Sequence, residues 1–88
     1  MTDALITRNL TAHEQGLAYD VLMEMPSTGI RHNLVTDAFL DALDSESEMV
    51  TLHAADLQAL RAARDSLPAG EDRAILTDIV SLFTERAA

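Results

Sequence analysis

Three histidines, fifteen carboxylates and no cysteine are the groups in this 88-residue chain that offer chemistry. His13, His32 and His53 are 19 and 21 residues apart, whereas zinc ligands on one helix recur every third or fourth residue. Each falls near an expected helix start, where a side chain caps the helix or faces water. The carboxylates are plentiful, but general acid–base work needs a desolvated carboxyl in a cleft, and Asp37, Asp41 and Asp44 fall on an expected wet face. Four short helices leave little room for a ligand pocket of ~300 Å³ or more. No nucleophile elbow, glycine-rich phosphate loop or calcium loop occurs. The chain reads as a non-enzyme with no cofactor and no metal.

One triplet points to covalent modification. Asp65-Ser66-Leu67 resembles the site at which acyl and peptidyl carrier proteins hold phosphopantetheine, and those proteins are also short, acidic and helical. The resemblance would make Ser66 the attachment point. Its context differs: the family's serine opens a long helix near mid-chain, with two further helices following. Only 22 residues follow Ser66, and Pro68 and Gly70 come just after it. Gly70 would weaken any helix begun at Ser66. Asp65 and Ser66 read instead as polar residues ending a helix.

Charge narrows the partners. Fifteen acidic residues oppose six basic ones, all arginine, for a net charge of −9. Phosphate backbones and anionic membranes are repelled by such a surface, so neither direct nucleic-acid nor membrane binding is expected, while a basic protein is steered in. The most basic stretch, QALRAARD, has its Arg61 and Arg64 flanked by Asp56 and Asp65, which suits pairing within a helix better than a recognition helix. No apolar run approaches the ~20 residues that span a bilayer. MTDALITRNL lacks the basic start and apolar stretch of a signal peptide, and with the absence of cysteine this predicts a cytoplasmic location.

The periodicity predicts an all-α fold: one domain over 1–88, a small bundle of about four helices in two hairpins, 11–44 and 52–86. Residues 2–10 read either as a short extended arm or as part of the first helix. In the second case Ile6, Leu10, His13, Leu17 and Val21 would face inward. Thr11 and Glu14 have the spacing of a capping box, and Leu17, Val21, Leu22 and Met25 follow before Pro26. After the turn PSTG, a helix over 31–44 places Leu34, Val35, Ala38, Phe39 and Ala42 within an arc of roughly 140°. Leu40 stands alone among its polar positions. SESE (45–48) reads as a solvated linker. His53 suits an N-cap, with Leu52 and Leu57 as a hydrophobic staple, and Leu57, Leu60, Ala63 and Leu67 face inward. The last helix, 71–86, buries Ile75, Leu76, Ile79, Val80 and Phe83. Glu71 and Asp72 lie in its first turn, Arg86 in its last, and Glu71, Asp78 and Glu85 repeat every seven residues.

The halves resemble each other without a constant offset. Thr11, His13 and Leu17 match Thr51, His53 and Leu57 at 40; Gly29, Thr36 and Asp37 match Gly70, Thr77 and Asp78 at 41; Pro26 matches Pro68 at 42. With no single register, the similarity reads as shared architecture.

These features predict a small acidic protein-interaction module, an inhibitor, adaptor or regulatory subunit docking on a basic partner protein. Its sharper form is a phage-type inhibitor covering a nucleic-acid-binding surface, as anti-CRISPR and DNA-mimic proteins do, although nearly half this chain is apolar. The expected contacts are Asp37, Asp41, Asp44 and Leu40 on the second helix and Glu71, Asp78 and Glu85 on the fourth. Tyr19, Met23, Met49 and Leu82 are further apolar groups that the core need not absorb. The alternative is a self-assembling helical subunit that forms a homodimer; a carrier protein using Ser66 is the remote one.

Overall fold

The computed structural model describes residues 4–85. Its order is β1 (Leu5–Asn9), α1 (Ala12–Glu24), α2 (Ile30–Asp44), β2 (Met49–His53), α3 (Ala54–Ser66) and α4 (Glu71–Glu85). The four helices form the two expected hairpins. The all-α expectation needs correction, because each hairpin is preceded by a strand and the two strands pair antiparallel.

Both strands carry the sequence signal of a half-buried ribbon. LITRN and MVTLH are rich in β-branched residues and alternate inward and outward. Ile6, Val50 and Leu52 point into the core, while Leu5, Thr7, Asn9, Met49, Thr51 and His53 are exposed. A two-stranded ribbon is marginal by itself; here its inner face is covered by the helices. Leu10 N–H donates to Glu48 O at 2.7 Å and Ala54 N–H to Ala4 O at 2.8 Å, extending the ladder at both ends.

Thr7 pairs with Thr51, flanked by Leu5–His53 on one side and Asn9–Met49 on the other. The register is therefore symmetric about the threonines, and the chain is a βαα unit repeated about a pseudo-two-fold. Strands correspond at an offset of 44, α1 and α3 at 42, α2 and α4 at 41, and each pair is equal in length. Two residues separate β1 from α1 and none separates β2 from α3; five residues join α1 to α2 and four join α3 to α4. Unequal connections are why no single offset survives in the sequence.

Helix ends follow local chemistry. Thr11 caps α1 as expected: its Oγ1 accepts from Glu14 N–H at 3.1 Å and Glu14 Oε1 accepts from Thr11 N–H at 2.8 Å. Gly29 precedes α2 with φ +145°, a conformation that strains any residue with a Cβ. His53 occupies the N-cap of α3 but its side chain makes no capping bond.

The core is one cluster with Phe39, Phe83, Leu10, Leu52, Leu60 and Leu76 at its centre, each large side chain contributing ~1.5–3 kcal/mol of burial. Two helices are rotated from their expected orientation. On α1, Gln15 and Ala18 are buried and Leu17 is only half-buried, outside the core cluster. Gln15 turns inward because its Nε2 donates to Leu10 O (2.9 Å) and Ser47 O (2.6 Å), clamping the end of β1 to the α2–β2 connection. On α2, His32 and Thr36 are buried and Leu34 is 47% exposed, because both polar side chains find backbone acceptors. His32 Nε2–H donates to Leu22 O at 2.9 Å, one of the last carbonyls of α1, and Thr36 Oγ1 donates to His32 O at 2.9 Å. Asp56, 4% exposed, accepts from Arg31 at 2.8 Å and ties the start of α2 to the start of α3.

Candidate docking surface

The expected contact residues fall on two helices. On α2, Asp37, Asp41 and Asp44 are exposed and Leu40 is half-buried outside the core cluster. On α4, Glu71 and Asp78 are exposed; Glu85 closes the helix, and its side chain, like Arg86, lies outside the described residues. The main contacts of α2 are with α1, α3 and β2, and those of α4 with α3, α1 and β1. The two acidic stripes therefore belong to two surfaces.

Leu34 joins the acidic face of α2 because of the rotation described above. At ~100° per residue, Ile30, Leu34, Leu40, Asp37, Asp41 and Asp44 fall within about 120° of one another. Ile30 is 78% exposed. Sequence reading placed Leu34 in the core and assigned Ile30 to no face. The available signal was two histidine- and threonine-bearing positions that could turn inward on backbone carbonyls. Met23 and Met49 are exposed, at 58% and 49%, while Tyr19 and Leu82 pack against the core. Among the described residues, salt bridges link Arg31 to Asp56 and Arg64 to Asp65, and the exposed Asp37, Asp41 and Asp44 form none.

Beside α2 run two shallow grooves. One, of about 240 Å³, lies between the end of α1 and the start of α2 and includes Met23, Met25, Asn33 and Asp37. The other, of about 420 Å³, lies between α2 and β2 and includes Ala38, Asp41, Ala42, Met49 and Thr51. The outer face of the ribbon is a further surface that sequence reading did not find, and none of its six outward residues is acidic.

His13 and His53 are exposed, as expected near helix starts, but His32 is buried. Among the described residues no cluster of three metal-ligating side chains occurs. Ser66 is the last residue of α3, and its hydroxyl donates to Ala63 O at 2.9 Å. Beside it, Arg64 Nε donates to the Asp65 carboxylate at 3.0 Å. This hydrogen bond is the main cause holding the Asp65 carboxyl below its ordinary value, helped by the charges of Arg64 and Arg73. Among the described residues no helix is long and apolar enough to cross a membrane.

No protein-family model matches the chain, and no curated protein or solved structure matches it significantly.

Proposed function

We propose that this chain is a protein-docking module, an inhibitor, adaptor or regulatory subunit, that engages a basic partner through the outer face of α2. The observation that carries this reading is the shared arc of exposed Ile30 and Leu34 with Asp37, Asp41 and Asp44. Apolar groups that lose their water on contact supply binding energy at an interface, and the surrounding acids steer and orient a basic surface. Leu40 borders the same arc. Glu71 and Asp78 give α4 a second acidic contact. A partner whose basic surface itself binds nucleic acid is the sharpest form of the reading, because docking would cover that surface. A cytoplasmic location goes with it.

The test is affinity purification with the tagged chain, followed by binding of the recovered protein at increasing salt. A basic partner whose affinity falls with salt supports docking. A salt-resistant homodimer with no foreign partner, seen by light scattering, favours the self-assembling alternative.

The ribbon supports a second reading. The major groove of B-DNA admits a two-stranded antiparallel ribbon, and ribbons do read bases there. Thr7, Asn9, Thr51 and His53 project hydrogen-bonding groups from such a ribbon, about a pseudo-two-fold. The net charge of −9 opposes the approach of phosphate, which places this reading second. Selection of duplexes from a random pool at low salt distinguishes the two: an enriched sequence favours the ribbon, and an unenriched pool favours docking through α2.

A further inference from the structure

The pseudo-two-fold relates the two edges of the ribbon, yet they are closed differently. Ala54 N–H donates to Ala4 O and Leu10 N–H to Glu48 O, one ladder bond in each pair. Antiparallel pairing alternates, so Ile6–Leu52 and Arg8–Val50 are the bonded pairs within the ribbon, and Leu5, Thr7, Asn9, Met49, Thr51 and His53 turn their backbone groups outward. On the β1 edge, the Arg8 side chain closes one of these outward groups. Its guanidinium donates to Thr7 O at 2.8 Å and to Leu82 O near the end of α4 at 3.1 Å. The residue corresponding to Arg8 in the second unit is Leu52, which is buried. The β2 edge therefore has no such strap: Met49 N–H donates to Ser47 Oγ at 3.0 Å and the same hydroxyl donates to Met49 O at 3.3 Å, whereas Thr51 N–H and C=O have no partner among the described residues.

The floor beside the two edges also differs. At the offset of 41, Ala38 and Ala42 of α2 correspond to Ile79 and Phe83 of α4. The small pair leaves the groove of about 420 Å³ next to β2, and no β1 residue lines it, which places it on the free edge. Asp41 stands at its rim, with exposed Asp37 and Asp44 on the same helix.

We propose that this groove captures an extended basic segment of a partner protein, which adds to the edge of β2 as a third strand. The proposal rests on the docking reading above and specifies how the partner is held. The incoming backbone bonds to Thr51 N–H and C=O, the mode in which main-chain groups supply affinity and alternate side chains supply selectivity. An arginine at alternate positions lays its aliphatic stem over Ala38 and Ala42 and brings its guanidinium to Asp41. A strand matching the five residues of β2 would be ~17 Å long. A second copy of the chain is a poor occupant, because pairing two β2 edges brings two acidic α2 faces together.

The probe is an acetylated, amidated octapeptide of alternating valine and arginine, titrated into the uniformly ¹⁵N-labelled full chain. A charge-matched control has the same sequence with alternate amides N-methylated. The expected result is a shift of the Met49 and Thr51 amides, protection of the Thr51 amide from hydrogen exchange, and about tenfold weaker binding of the N-methylated peptide. Ala38→Ile, which installs the residue found at the corresponding place in α4, weakens the peptide to the level of that control while leaving the fold's amide spectrum intact. Equal binding of both peptides, with shifts confined to α2 and no protection of Thr51, overturns strand addition but leaves acidic docking standing. No binding of either peptide overturns strand addition, and the docking reading is then judged separately by the salt-dependent binding of the recovered partner. Concentration-dependent protection of Thr51 without peptide identifies a second copy as the occupant and overturns the proposal.

Discussion

The hydroxyls of Thr7 and Thr51 lie 2.7 Å apart at the centre of the ribbon, and every other element of the chain is paired about them. Since the two residues form a non-hydrogen-bonded pair, their backbones approach closely and their side chains meet. Cross-strand pairs of this kind are worth ~0.2–1 kcal/mol. A double-mutant cycle with Thr7→Val and Thr51→Val, followed by urea unfolding, is expected to give a coupling of about 0.2–1 kcal/mol. Zero coupling would put the strands in another register.

The alternation of β2 has a larger consequence. Leu52→Ala removes a buried side chain and is expected to cost about 2–5 kcal/mol, a large share of the ~5–15 kcal/mol available to a domain. Thr51→Ala, one position away and exposed, is expected to cost less than about 1 kcal/mol. Chemical denaturation of the two variants checks this. Losses recurring every third or fourth position from 49 to 53 would make the segment helical instead.

Two buried polar side chains hold helix and loop carbonyls. His32→Phe strands Leu22 O and Gln15→Leu strands Leu10 O and Ser47 O. Each variant is expected to lose about 1–3 kcal/mol despite its greater hydrophobicity. Unfolding midpoints at or above wild type would show that these carbonyls have other donors.

Those same residues show where the sequence could be read and where it could not. Helix positions such as Leu57, Leu60, Leu76 and Phe83 recur at three- and four-residue spacing, and Thr11 with Glu14 marks a start; local information suffices for these. Burial of Gln15 and His32 depends on carbonyls that the tertiary fold brings to them, so polar residues displaced Leu17 and Leu34 from the core. The strands were harder still. More than forty residues separate Thr7 from Thr51, and no turn joins β1 to β2, so LITRN reads as an ambiguous arm, and in MVTLH only Leu52 and His53 carry a signal, as the staple and cap of the next helix. The acidic positions of α2 were legible from charge periodicity, whereas the ribbon face and the open β2 edge exist only once the halves come together.

Asp65 supplies a prediction about pH. Its carboxyl titrates below the ordinary 3.8, chiefly because of the hydrogen bond from Arg64. A depressed folded value contributes stability above pH 3.8 that is lost as pH falls through the lower folded value. The side chain is exposed, so Asp65→Asn should leave the unfolding midpoint at pH 7 within error of wild type. NMR titration should show the Asp65 carboxyl moving back toward 3.8 in Arg64→Gln. An unchanged titration in that variant would remove Arg64 as the cause.

The decisive measurement is calorimetric affinity of the recovered partner for the wild-type chain and for a variant carrying Asp37→Arg, Asp41→Arg and Asp44→Arg, with circular dichroism as the check on folding. Docking through α2 predicts binding weakened about tenfold to a hundredfold at low salt, with helical content unchanged. Equal affinity for the two proteins would mean that these carboxylates are merely solvated and that the partner is held elsewhere.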